Sequence, residues 1–195
     1  VCVRLYSCCS ACSSSPDKER YTFASQLAVL QACPAVLSRL LRRNGPSLLA
    51  AKVLVISRLL HKTLSQSQHA PPLIDKLRNQ LTSLRRKLLS HIDKQFAKPE
   101  TDVAQLVENM CAFSLAASST PTDVLRHFHH VRSQAISTQL ASHESTKQHI
   151  LQALKLYART IQDTRAIFPK RLADSLSKLK AHPLLQDKDV QSVTE

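Results

Sequence analysis

The sequence predicts an all-α fold, an elongated helical bundle or solenoid of about seven to eight helices. Three observations carry this. The chain holds a single glycine and no tryptophan in 195 residues. Folds rich in hairpins or phosphate loops need glycine at positions closed to other residues, so those classes are nearly excluded. Leu, Ala, Ser, Lys and Arg dominate, residues that keep most of their rotamer freedom in a helix or serve at its ends. Apolar positions recur at spacings of three and four. The hydrophobic content of 43% supports a core, so wholesale disorder is not expected.

Taken in order, residues 1–17 read as a disordered Cys-rich tail ending in "SSSPDKE". The helical region follows over 18–180, and 181–195 read as a frayed tail. A first helix starts near Asp17, turns Phe23, Leu27, Val29 and Leu30 inward, and should stop before Pro34, which disfavours helix at the preceding residue. Pro34 then opens a short helix, "PAVLSRLLRR", closed by Asn44-Gly45-Pro46 with the glycine as left-handed cap. Over 47–66, Leu49, Val53, Ile56, Leu60 and Leu64 form one stripe, widened by Leu48, Leu54, Val55 and Leu59. The longest helix spans 72–97, with Leu73, Leu77, Leu81, Leu84, Leu88, Ile92 and Phe96 inside and Arg78, Arg85, Arg86, Lys87 and Lys94 facing elsewhere.

The segment 100–117 buries Val103, Leu106, Val107, Met110, Phe113 and Leu115, with Asp102 and Glu108 as cap and surface residues. Thr120-Pro121-Thr122-Asp123 is a strong helix start: Thr120 accepts first-turn amides, Pro121 is tolerated at the first helical position, and Asp123 faces the positive dipole end. That helix runs to Leu140 on Val124, Leu125, Phe128, Val131, Ala135 and Ile136. The next ends at Phe168 with Ile150, Leu154, Tyr157, Ile161 and Phe168 on its inner face, and a last helix over 169–180 carries Leu172, Leu176 and Leu179.

Chemistry is sparse. There is no GxxxxGK[ST] and no GxSxG, so no catalytic or cofactor-binding residue is expected. Asp123, His127 and His130 share a helix face and His129 lies beside them, but they lack a fourth ligand at helical spacing. A surface aspartate–histidine pair is expected there, without metal. Cys9 and Cys12 have CxxC spacing with no second pair; Cys33 and Cys111 read as small core residues. No disulfide framework is implied, so a reducing compartment is expected. No apolar run is expected to approach the roughly 20 residues of a membrane span. The net charge of +13 favours anionic partners, although scattered cations such as those of "LRRKLL" also suit a solvated face. Val1 is not a natural initiator, so the expectation is either a piece of a longer protein or an uncertain gene model over about the first 15 residues.

Two stretches sharpen the reading. "YTFASQLAVLQACPAVLSRLL", Tyr21 to Leu41, and "LVENMCAFSLAASSTPTDVLRHFHHVRSQAI", Leu106 to Ile136, flank the helix "LLAAKVLVISRLLHKTL". In this order they resemble the subunit 1 family of the conserved oligomeric Golgi complex, particularly its fungal members. Cys111, Ser118, Ser119, Leu125, Phe128, Arg132 and Ile136 occupy the family's pattern, and the resemblance covers about 21–168. Ahead of that part, family members carry a heptad region that joins subunits.

The resemblance implies a tether-rod fold and a non-enzymatic, peripheral protein on the cytosolic face of the Golgi membrane, acting in retrograde intra-Golgi vesicle tethering and protein transport. Implied partners are other tether subunits, SNAREs, small GTPases and the anionic membrane surface. Two rivals share the helical build: a subunit of another, exocyst-type tether, and a basic nucleic-acid-binding module. The latter lacks interleaved aromatics for base stacking.

Overall fold

The computed structural model describes residues 15–66, 72–141, 147–186, 189 and 191. Among the described residues the structure has seven helices of defined bounds, α1 (Ser15–Arg42), α2 (Ser47–Ser65), α3 (Leu73–Ala97), α4 (Val103–Ala117), α5 (Pro121–Leu140), α6 (Lys147–Ile167) and α7 (Lys170–Ala181). No strand occurs among the described residues. The expected tail over 1–14, with Cys9 and Cys12, lies outside them; residues 15–17 open α1.

The middle of the fold is α4. It packs against α2, α3, α5, α6 and α7, while α1 closes the far side of α2 and α3. The stripe read from α3 is interior: Leu77, Leu81, Leu84, Leu88, Ile92 and Phe96 are all buried. Its first member is displaced, because Leu73 is exposed and Ile74 takes the inward place. Elsewhere Leu30, Val53, Leu106, Met110 and Phe128 are buried, and Leu27 and Leu60 are half-buried against the core. Ile56, Leu125 and Ile136 are only half-buried. Leu59, expected to widen the α2 stripe, is 54% exposed. Each fully buried Leu or Phe contributes about 1.5–3 kcal/mol.

Three further expectations about helix limits and faces are corrected. The first concerns Pro34, which lies inside a continuous 28-residue α1. An interior proline removes one hydrogen bond and costs about 3 kcal/mol. Leu30, Cys33, Leu37 and Leu40 are buried on both sides of it, so one packed line runs through the proline and offsets that cost. By length and composition alone the Lys18–Arg42 stretch of α1 could cross a membrane, contrary to the expectation. Here its apolar line faces α2 and α3.

The second is the α1 cap. Asn44, at φ 49°, takes the left-handed conformation, and Gly45 does not. The Gly45 amide donates to the Leu40 carbonyl at 2.9 Å, the six-to-one bond of a Schellman motif with asparagine at its turning point. Gly45 answers a different need: a Cβ there would lie 3.3 Å from the Leu40 carbonyl oxygen and side chain.

The third is α6. Ile150, Leu154, Tyr157 and Ile161, expected inside, are exposed, and Ala153, Leu156 and Ile167 are buried instead. The helix carries two apolar rows. The row with the small Ala153 packs inward, and it brings Asp163 to Arg132 of α5.

The expected frayed tail is partly docked. Leu185 packs against the core, and Asp189 pairs with Lys52 of α2 at 2.6 Å. The Phe168–Pro169 bond between α6 and α7 is cis.

Leu88→Ala should lower stability by about 2–5 kcal/mol, since the side chain is fully buried. Arg86→Ala, on the exposed side of α3, should stay within about 0.5 kcal/mol of the parent. Urea denaturation of the two variants checks the phase of α3; equal losses would contradict it.

Candidate interaction surfaces

The histidine-rich start of α5 holds the residues nearest to site chemistry, and local structure separates them. Thr120 Oγ1 accepts from the Asp123 amide at 3.3 Å, and Asp123 Oδ2 accepts from the Thr120 amide at 3.3 Å, a reciprocal capping box. The Thr120 hydroxyl also donates to Asp123 Oδ2 at 2.7 Å, and Arg126 pairs with Oδ1 at 3.1 Å. Hydrogen bonds from Thr120, helped by Arg126, hold the Asp123 carboxyl below its ordinary range. Asp123 therefore works as a cap.

The aspartate–histidine pair exists with another partner. His127 Nε2 meets Asp93 Oδ1 of α3 at 2.7 Å, and its ring stacks on Phe113 with centroids 4.3 Å apart. His129 Nε2 meets Thr164 Oγ1 of α6 at 3.1 Å, and His130 is exposed. The three histidines thus serve α3, α6 and solvent. Among the described residues no group of three or more His, Cys, Asp or Glu is placed to hold a metal.

A buried ionic site escaped the sequence reading. Arg132 of α5 is 1% exposed, and its Nη2 reaches Asp163 Oδ2 of α6 at 3.4 Å. Arg159 Nε meets the other carboxylate oxygen at 3.0 Å. The Arg132 guanidinium lies 5.2 Å from the centre of the Phe128 ring. Burial pushes the Asp163 carboxyl above its usual range while the two arginines pull it back, and burial lowers Arg132. The available signal was position: Arg132 follows Phe128 by four residues and so shares its inward face.

Cationic surface gathers in clefts. Between α2 and α3, Arg58, His61, Arg78 and Arg85 line a cleft of about 350 Å³ above Leu54 and Leu81. Two of these arginines also close the end of α4: Arg58 Nη1 donates to Ser118 Oγ at 2.9 Å and Arg85 Nε to the Ala116 carbonyl at 2.7 Å. Between α1 and α3, Arg42, Arg86, Lys87, His91 and Lys94 line a wider groove of about 850 Å³ over Leu41 and Leu84. At the α6–α7 turn, Arg165, Lys170, Arg171 and Lys178 surround Asp174. Among the described residues no carboxylate lines either of the first two clefts.

These arrangements attract negative charge. Burial pushes the Cys33 and Cys111 thiols up to about 11, so both are inert near neutral pH.

Arg132→Ala leaves Asp163 buried with Arg159 as its only cation, and should cost about 3 kcal/mol or more in urea denaturation. The double variant Arg132→Met/Asp163→Leu removes both charges and should recover most of that loss. A single variant as stable as the parent would deny the pair a structural role.

His91 supplies a pH dependence. Burial, then Lys98 and Lys94, lower its pKa from 6.5. A depressed histidine adds stability above the unfolded-state pKa, lost as pH falls below it, because the unfolded chain binds the proton more readily. Between pH 7.5 and 5.5, thermal melts of His91→Asn should therefore lose less stability than those of the parent; the same or a larger loss would contradict the assignment.

Comparison of the chain with protein-family models, with curated proteins and with solved structures finds no match in any of the three.

Proposed function

We propose that the chain is a non-enzymatic helical scaffold that binds other macromolecules through its surface. The observation that carries this reading is the use made of the reactive side chains. Asp123 caps a helix, His127 joins α5 to α3, Asp163 balances the buried Arg132, and the thiols of Cys33 and Cys111 are interior. The exposed row of α6 and the first two clefts present apolar and cationic surface, which suits recognition.

Within that class we read the chain as part of a vesicle tether, a subunit of the conserved oligomeric Golgi complex of rod-like helical build. The support is the resemblance of 21–41 and 106–136, which fall on α1 and on α4–α5. The reaction would be assembly: helical legs hold vesicle and target membrane together in intra-Golgi transport, on the cytosolic face of the Golgi. Its contacts would be neighbouring tether subunits, SNAREs, small GTPases and the anionic membrane surface. The cationic clefts favour one further reading, binding to nucleic acid, which would show a steep loss of affinity with salt.

A tagged product of the complete gene should localise to the Golgi in its own cells and co-purify with Golgi tether subunits. Recovery with exocyst-type subunits would move the assignment to another tether. A nuclear pattern, with nucleic acid retained at physiological salt and tether subunits absent, would replace it with the nucleic-acid reading.

A further inference from the structure

Helix α6 presents an apolar row that the rest of the described chain leaves uncovered. Of the nine exposed large hydrophobic side chains among the described residues, five lie on α6: Ile150, Leu151, Leu154, Tyr157 and Ile161. Leu154 and Tyr157 are 60% and 58% exposed. Scattered apolar residues are ordinary on a protein surface, but a continuous row on one helix marks an interaction site.

The row has the pattern of a helix–helix seam. Ile150, Leu154, Tyr157 and Ile161 follow one another at spacings of four, three and four, and fall within about 60° of one another around the helix. Leu151 widens the first turn. A neighbouring face is already occupied: Ala153, Leu156, Asp163 and Ile167 are buried in the fold. Since α6 is held along its length by α5 and α4, the exposed row is presented without a further folding step.

Charge selects the occupant. The exposed ionic residues of α6 are Lys147, Lys155 and Arg165, all cations. Its one carboxylate, Asp163, is buried and paired with Arg132 and Arg159. Helix α7 adds Lys170, Arg171 and Lys178 around the single carboxylate of Asp174. A second copy would bring the same cations to the same seam. An interfacial membrane helix sets its apolar face against a free cationic one, whereas the exposed row of α6 adjoins a face already buried in the fold.

We infer that this face of α6 is a docking seam for one amphipathic helix of a partner protein, with apolar residues at heptad positions a and d and acidic residues beside them. The inference deepens the scaffold reading and rests on it: α6 is the element by which the scaffold holds a partner subunit.

The test uses the whole 195-residue chain. The probe is a labelled three-heptad peptide with Leu at a and d and Glu at e and g, whose like charges keep it from pairing with itself at neutral pH. Anisotropy titration should give saturable binding that weakens with salt. The same peptide with Lys at e and g should bind at least about tenfold more weakly. Leu154→Glu/Tyr157→Glu should weaken Glu-peptide binding by at least about tenfold, with circular dichroism and melting unchanged because both positions are exposed. If that variant misfolds, Leu154→Ser/Tyr157→Ser makes the same measurement with a gentler change.

No binding of the Glu peptide, equal binding of both peptides, or full binding by the folded variant would overturn the seam. So would dimerisation of the parent that the variant abolishes, which would make a second copy the occupant. Seam-dependent binding to phosphatidylserine vesicles in place of the peptide would make it a lipid contact. Co-purification separates the two levels: variant and parent recovering the same tether subunits would leave the scaffold standing and remove the seam alone.

Discussion

Burial of α4 sets the terms for the rest of the molecule, because most of Val103–Ala117 is turned away from water. Leu106, Val107, Asn109, Met110, Cys111, Ala112, Phe113 and Ala116 are buried, and together they point in all directions around the helix. Such a helix is stable only when enclosed. Five other helices pack against it, and only α1 stands outside that ring. The ends of α4 need equal care. Asp102 accepts from the Ala104 amide at the start, while Ser118 turns left-handed at the finish and lets the Ser119 amide reach the Ser114 carbonyl at 3.1 Å. Arg85 from α3 then bonds the Ala116 carbonyl, and Arg58 from α2 bonds Ser118. The basic cleft between α2 and α3 is in part a consequence of closing this helix.

Much of this was legible from spacing. The inner stripe of α3, the apolar character of α4 and the Thr120–Asp123 start of α5 each follow from local rules that the folded chain has no reason to overrule. The misses have a common cause: a choice between options that the sequence leaves nearly equal. At Pro34 the local penalty lost to burial of Leu30, Cys33, Leu37 and Leu40 along one line. At the end of α1 two residues could take the left-handed position, and the tight approach of Leu40 assigned Gly45 to another task. On α6 two apolar rows compete, and periodicity cannot say which one has a partner.

The ionic site was hidden for the same reason. Arg132 and Asp163 are 31 residues apart and meet only because α5 and α6 pack side by side. Nothing local marks either as a buried charge. Once the pair forms, it fixes the rotation of α6, since only one face of that helix can bring Asp163 to Arg132. The choice of row, the pairing of the carboxylate and the purely cationic outer edge of α6 are thus one event.

The Asn44–Gly45 step also bears on how the protein ages. Asparagine followed by glycine is prone to deamidate, when the glycine nitrogen attacks the asparagine side chain and closes a five-membered imide. In the fold that nitrogen is tied to the Leu40 carbonyl by its hydrogen, and the left-handed turn fixes the geometry around it. Folding therefore shields the one Asn–Gly sequence in the chain. Each excursion that frays the end of α1 exposes it, and the product would place a carboxylate against the negative end of the helix dipole. Chemical damage at this joint would then record how often the helix end has opened.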